Sequence, residues 1–175
     1  LFFCFFWNLQ AQNDKEKIQW TSNSFLSWEH FKGRPDLGSR FKANSATGIL
    51  FSGQIGKKDG KYSLNFIVNS YFYPQLSWVA ESAKKEYLLQ HERLHFDITE
   101  LHARILRKKL KEINFDNVDS DPKEVLDSVY EIVEKDRREM QTRYDQETNH
   151  SLNKEIEAKW QLYIKEQLSK DDHLQ

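Results

Sequence analysis

The chain is poor in residues that cross-link or rigidify. It holds one cysteine, Cys4, and one methionine, Met140, in 175 residues. A single cysteine permits neither an internal disulfide nor a thiolate zinc cluster. A metal site here must therefore be built from imidazoles and carboxylates. Three prolines and six glycines exclude collagen-like and proline-rich classes. No run approaches the roughly 20 apolar residues needed to span a bilayer, so no transmembrane segment is expected in the mature chain. Charge of one sign is also missing. Lys and Arg total 26, Asp and Glu total 27, and the net charge is −1. That balance lacks the positive footprint that phosphate backbones require, so no nucleic-acid partner is expected. What is present suits a folded domain. Hydrophobic residues make up 38% and aromatics 14%, enough for a core and too many for wholesale disorder.

The opening is dense in apolar residues from Leu1 to Trp7, and Leu9, Gln10 and Ala11 follow with a small residue at the end. Residues 1–11 read as the tail of a secretory signal peptide, which predicts a secreted or periplasmic protein. A buried N-terminal strand is the alternative reading of the same block. Lipoprotein anchoring at Cys4 is not expected, because such sites want a small residue where Phe3 stands. Cleavage after Ala11 would leave a mature chain without cysteine, stabilised by its core alone.

Residues 12–24 are polar apart from Ile18 and Trp20, and read as a linker or leading strand. Trp28 and Phe31 with Gly33, Pro35 and Gly38 predict an irregular loop with aromatic anchors. Ala46–Ile55 and Lys61–Tyr73 are rich in Phe, Tyr, Ile and Val and predict two antiparallel strands around a turn at 56–60. On the second, Tyr62, Leu64, Phe66, Val68, Ser70 and Phe72 share one face. From about Ala83 to Lys111 the spacing becomes helical. Asp121-Pro122-Lys123-Glu124 is a helix start, with a capping carboxylate, Pro at the first helical position and Glu three residues after the cap. This second helix is predicted to end near Tyr144–Glu147. After a break at 148–151, a third helix carries Leu152, Ile156, Trp160, Tyr163, Ile164 and Leu168 as its apolar stripe. Residues 171–175 form a polar tail that includes His173.

The chemistry concentrates at His91-Glu92-Arg93-Leu94-His95, an HExxH motif within the first helix. Residues four apart lie about 40° apart around a helix and about 6 Å along it. Two imidazoles so placed converge on one Zn²⁺. Glu92 stands beside them as a general base for an activated water. A zinc hydrolase needs a third protein donor and an open position. His102 is about 10 Å past His95 along a continuous helix. The metzincin pattern HExxHxxGxxH would reverse the chain with Gly, but Ile98 stands there and His102 is one residue out of register. His102 is therefore expected to pack rather than ligate. Glu100 projects to the opposite side. Asp97 is better placed as an acceptor behind the site. The remaining donors lie at residues 144–150, which an antiparallel second helix could bring to the motif. His150 is the first choice, then Asp145, then Glu147. Tyr144 is expected either to donate to an oxyanion or to close the core at a helix end. Lys61–Tyr73 is a candidate sheet edge for holding a substrate strand. Leu76–Val79 either shapes a pocket or leads into the helix.

Trp28-Glu29-His30-Phe31-Lys32-Gly33, Ser77-Trp78-Val79, the segment from Leu89 to Ile98 and Tyr144-Asp145-Gln146-Glu147-Thr148-Asn149-His150 together resemble a bacterial family of uncharacterised domains described as predicted secreted zinc-dependent proteases. The matching pieces lie within residues 25–151. The resemblance implies a zincin-like fold, zinc as cofactor, peptide hydrolysis and export, and it favours His150 as a ligand. The chain departs from that family at Ser151, where Gly is usual.

The expectation is thus one α+β, zincin-like domain over residues 25–170. A small antiparallel sheet would pack on the HExxH helix, with two further helices. Zn²⁺ would be held by His91, His95 and His150, with Glu92 as base, and peptides or proteins would be the substrates. Two competing readings are a catalytically silent zinc-containing periplasmic binding or scaffold module and a non-peptidase metal-dependent amide hydrolase.

Overall fold

A computed structural model describes residues 16–23, 25–115 and 121–170, together with the backbone of Phe3–Phe6. The remainder of residues 1–11, read above as a leader, and the 171–175 tail lie outside the described residues. The architecture is α+β. Strand β1 (Phe3–Phe6) and the short strand β2 (Ile18–Gln19) flank a long hairpin, β4 (Thr47–Lys58) and β5 (Lys61–Phe72), in the order β1-β4-β5-β2 with antiparallel pairings. A second, two-stranded sheet joins β3 (Ala43–Asn44) to β6 (Trp78–Val79). Three helices follow: α1 (Glu86–Glu112), α2 (Pro122–Glu147) and α3 (Lys154–Lys170).

The hairpin runs further than its sequence suggested. Its strands continue to Lys58 and resume at Lys61, leaving a two-residue turn. Asp59 and Gly60 both take left-handed backbone, with φ of 51° and 81°. Such turns match the right-handed twist of the flanking strands. The predicted inner face of β5 is observed: Val68, Ser70 and Phe72 are buried, and Tyr62, Leu64 and Phe66 pack at the margin of the same core.

Helix α1 is the spine. It spans 27 residues and carries apolar side chains on more than one face, because it is covered on both sides. Ala103, Leu106 and Leu110 meet Ile49, Phe51 and Val68 of the hairpin. Leu88, Leu89 and Phe96 meet Phe31, Phe72 and Val79. Leu94, Ile98 and Leu101 meet Tyr144, Trp160 and Ile164 of α2 and α3. Leu152 and Tyr163 are exposed rather than in the buried stripe of α3, and Glu157 is buried there instead. No described helix is long and apolar enough to cross a membrane.

Two polar devices hold these layers in register. Ser77, fully buried, donates from its hydroxyl to the Tyr73 carbonyl at 2.9 Å and accepts from the Ala46 amide at 2.9 Å. Its own carbonyl takes the Gly33 amide at 2.7 Å. A Cβ on residue 33 would sit 2.7 Å from that carbonyl, so only glycine fits there. The Leu76–Val79 segment is thus a brace leading into the helix. The second device is Glu100. Ser70 donates to its Oε2 at 2.6 Å, and Arg104 and Arg107 each donate to Oε1 at 3.0 Å. Arg104 continues to the Leu168 carbonyl and Arg107 to that of Val68, so one carboxylate links the sheet, α1 and the end of α3. His102 packs as expected: it is buried, its Nδ1 lies 2.8 Å from the Ile98 carbonyl, and burial holds its pKa below the ordinary value.

Removing one partner of a buried charge network strands the others. Glu100→Gln is expected to lower the free energy of unfolding by about 3–5 kcal/mol, measured by urea denaturation. A loss below about 1 kcal/mol would show that the network is not a fastening point.

Candidate metal centre

Helix α2 packs against α1 antiparallel, and its last turns carry the site. Gln141, Tyr144, Asp145 and Thr148 recur at helical spacing on the face turned toward the HExxH segment. Gln141 Nε2 donates to the His95 carbonyl at 2.9 Å, and Tyr144 Oη, whose proton goes to Glu157, lies 3.3 Å from the His91 carbonyl. These contacts bring Asp145 between the two imidazoles. Its Oδ1 lies 3.1 Å from His91 Nε2 and 3.1 Å from His95 Nε2. Among the described residues, His91, His95 and Asp145 form the one group that could hold a metal ion, with ligand atoms all within 4.8 Å of one another. Donors of a tetrahedral zinc site, bonded at about 2.0–2.1 Å, stand roughly 3.4 Å apart.

The orientation of each ring is set from behind. Gln141 uses its amide N–H groups on the His95 carbonyl and on Thr99 Oγ1, so its carbonyl oxygen is what faces His95 Nδ1. His91 Nδ1 faces the Glu157 carboxylate of α3 at 3.0 Å. Both Nδ1 atoms therefore carry hydrogen, and both Nε2 atoms turn toward Asp145. In the neutral imidazoles this sets two lone pairs against a carboxylate oxygen. Such a cluster repels itself unless a cation or protons sit among the three atoms, so the donor set fits a divalent metal. The proton affinities express the same demand. Burial works against a charged His91, but Asp145 and Glu157 on its two nitrogens outweigh burial and push its pKa up to about 9. Burial would raise the Asp145 pKa, yet His91 and His95 hold it well below the usual carboxylate range.

Glu92 is buried behind the imidazoles. Burial pushes its pKa up, against the pull of the two histidines, and its Oε2 has no hydrogen-bond partner among the described residues. It borders a cleft of about 1000 Å³ that His91, His95 and Asp145 also line. Segment 40–47, which includes β3, lines that cleft, with Ser45 Oγ donating to the Glu92 carbonyl at 3.2 Å. The expected substrate edge, β5, does not border the cleft, because it lies between β4 and β2 and turns its inner face into the core.

His150, the first-ranked third donor, lines the same cleft but lies outside the metal-binding group. It follows the end of α2, where Asn149, His150 and Ser151 take φ of 48°, 51° and 73°. This left-handed turn carries the His150 ring onto Phe41, with centroids 4.5 Å apart, and leaves Nδ1 3.7 Å from Asp145 Oδ1. Glu147 points elsewhere and accepts from Trp160 Nε1 at 2.8 Å. Tyr144 closes the core: fully buried, it stacks on the His91 ring and donates to Glu157. Asp97 accepts from Trp20 Nε1 at 2.7 Å, away from the metal group. Sequence reasoning missed Glu157 and Gln141. A signal existed for Gln141, since extending the α2 stripe through Leu126, Val133 and Met140 points it and Asp145 at α1. Glu157 had none beyond a charged residue amid an apolar stripe.

Residues 74–151 match the model of a family described as bacterial protein of unknown function (DUF922). The match covers just under half of the chain, and within it lie β6, α1, α2 and every residue of the metal-binding group. A bacterial family of uncharacterised domains is what the sequence resembles, and no activity is assigned to that family. No curated protein and no solved structure matches the chain.

The left-handed turn explains why Gly suits position 151. An L-residue there costs about 1–2 kcal/mol, partly offset by the greater freedom of Gly in the unfolded chain. Ser151→Gly is expected to stabilise the protein by about 0.5–1 kcal/mol, a rise of about 1–4 °C in Tm at this size. An unchanged or lower Tm in calorimetry would contradict the assigned backbone.

Proposed function

We propose that this chain is a zinc-dependent hydrolase of zincin-like architecture that cleaves peptide bonds. The observation that carries the reading is the pair of Nε2 atoms, 3.1 Å each from Asp145 Oδ1, with Glu92 buried alongside. His91, His95 and Asp145 would hold the metal, which makes Asp145 the third donor in place of His150. Zinc bound there polarises a substrate carbonyl and lowers the pKa of a water from 15.7 toward about 7.

The chain's own groups supply the rest. Glu92 takes the proton released from the attacking water and returns it to the departing amine. Glu157 and Gln141 keep the imidazoles in the one tautomer that presents Nε2 forward. Segment 40–47, with β3 at its middle, walls the cleft where an extended substrate can lie. Export, expected from residues 1–11, suits a chain that relies on no cysteine chemistry.

The purified protein is expected to bind about one zinc per chain, measured by elemental analysis after dialysis. Asp145→Ala should lose at least about tenfold in zinc affinity, while His150→Ala retains it. Glu92→Gln should keep the metal and lose about a hundredfold or more in peptide hydrolysis. Undiminished turnover in Glu92→Gln would end the mechanism. Zinc retention without cleavage of any peptide by wild type would instead favour a silent zinc-containing binding module.

A further inference from the structure

The cleft has a polarity of charge that the metal site alone does not require. Segment 40–47 runs alongside α1 in the same direction. Phe41 lies against His150, Ser45 contacts the Glu92 carbonyl, and Thr47 Oγ1 is 2.8 Å from Thr99 Oγ1. The cleft therefore extends to either side of the metal group, one end at Phe41 and the other at Thr47. Arg40 and Lys42 flank Phe41 at the first end. Arg137 and Arg138 stand at the second, eight and seven residues before Asp145 on α2, or roughly 10–12 Å along the axis.

These four cations line the walls of a chain whose net charge is −1. The acids bordering the cleft, Glu92 and Asp145, both belong to the metal site. Arg137 is held by two hydrogen bonds to Glu134, at 2.9 and 2.8 Å, and Arg138 reaches the same glutamate at 3.6 Å. One carboxylate cannot neutralise two guanidiniums, so positive charge remains at that end. Arg40 rests on the Phe41 ring, 4.9 Å from its centroid, and neither it nor Lys42 has an ion-pair partner among the described residues.

We propose that the cleft selects extended peptide segments with acidic side chains on both sides of the bond held at the metal centre. The proposal deepens the peptidase reading and rests on it for the reaction, though not for binding. Guanidinium groups recognise carboxylates with paired hydrogen bonds. About three residues of extended chain cover the 10 Å from Asp145 to Arg138, so an acidic side chain about three positions from the bond meets that end. Cations at both ends fit an internal segment. A free C-terminal carboxylate would need them at one end only.

The test uses zinc-loaded Glu92→Gln protein and fluorescent peptides that differ in acidic, neutral or lysine flanks, each made with an amidated and with a free C-terminus. Anisotropy should show the acidic peptide binding about tenfold tighter than the lysine peptide at low salt, with the gap narrowing as salt screens the exposed charges. Arg40→Glu combined with Arg138→Glu, both at exposed positions, should erase or reverse the preference while zinc content and the far-ultraviolet circular dichroism stay unchanged. Equal binding of all peptides, a preference that survives the double substitution, or one that appears only with a free C-terminus would overturn the proposal. If the binding preference holds but wild type leaves the acidic peptide uncut, the peptidase reading fails and the acidic-segment specificity stands.

Discussion

The approach of Asp145 to two imidazoles is the contact on which the candidate metal centre depends. A carboxylate oxygen and two ring nitrogens facing one another across about 3 Å are stable only with positive charge among them. Everything nearby maintains that approach. The antiparallel packing of α2 on α1 brings the carboxylate in, Gln141 sets the helix register through the His95 carbonyl, Tyr144 stacks on the His91 ring, and Glu157 of α3 fixes that ring from behind.

The same arrangement explains where the protein spends polar groups in its core. Tyr144, Glu157 and His91 form a connected set beneath the site, and Glu100, Arg104, Arg107 and Ser70 form another roughly two and a half to four and a half turns further along α1. Apolar side chains would pack these volumes as well, but they would not specify the rotation of α1 about its axis. A hydrogen-bonded carboxylate on each side of the helix does, and the HExxH face is thereby turned to the cleft instead of the sheet. Rigidity of this kind is what a metal centre needs from its scaffold.

Much of the fold was legible because its signals are local. The hairpin strands, the inner face of β5, the capping at Asp121 and Pro122 and the extent of α1 all follow from period, caps and turn residues within a few positions. The errors arose where a local pattern met an unforeseen neighbour. Leu152 fits an apolar stripe but precedes α3 in an exposed turn, and Tyr163 faces solvent while Glu157, Trp160 and Ile164 take the inward face. β5 looked like an available edge, yet its place between two strands and its packing on α1 put it away from the cleft, while the inconspicuous segment 40–47 lies there.

For the site, the sequence by itself determined the pair His91 and His95 and the neighbouring Glu92, because one turn of helix relates them and helical geometry needs no partner. The choice among Asp145, Glu147 and His150 belonged to tertiary structure. Those residues sit within six positions of one another, and which of them meets α1 turns on helix register and on three consecutive left-handed residues at the helix exit. Such quantities are set by packing between segments some fifty residues apart, and no local spacing encodes them.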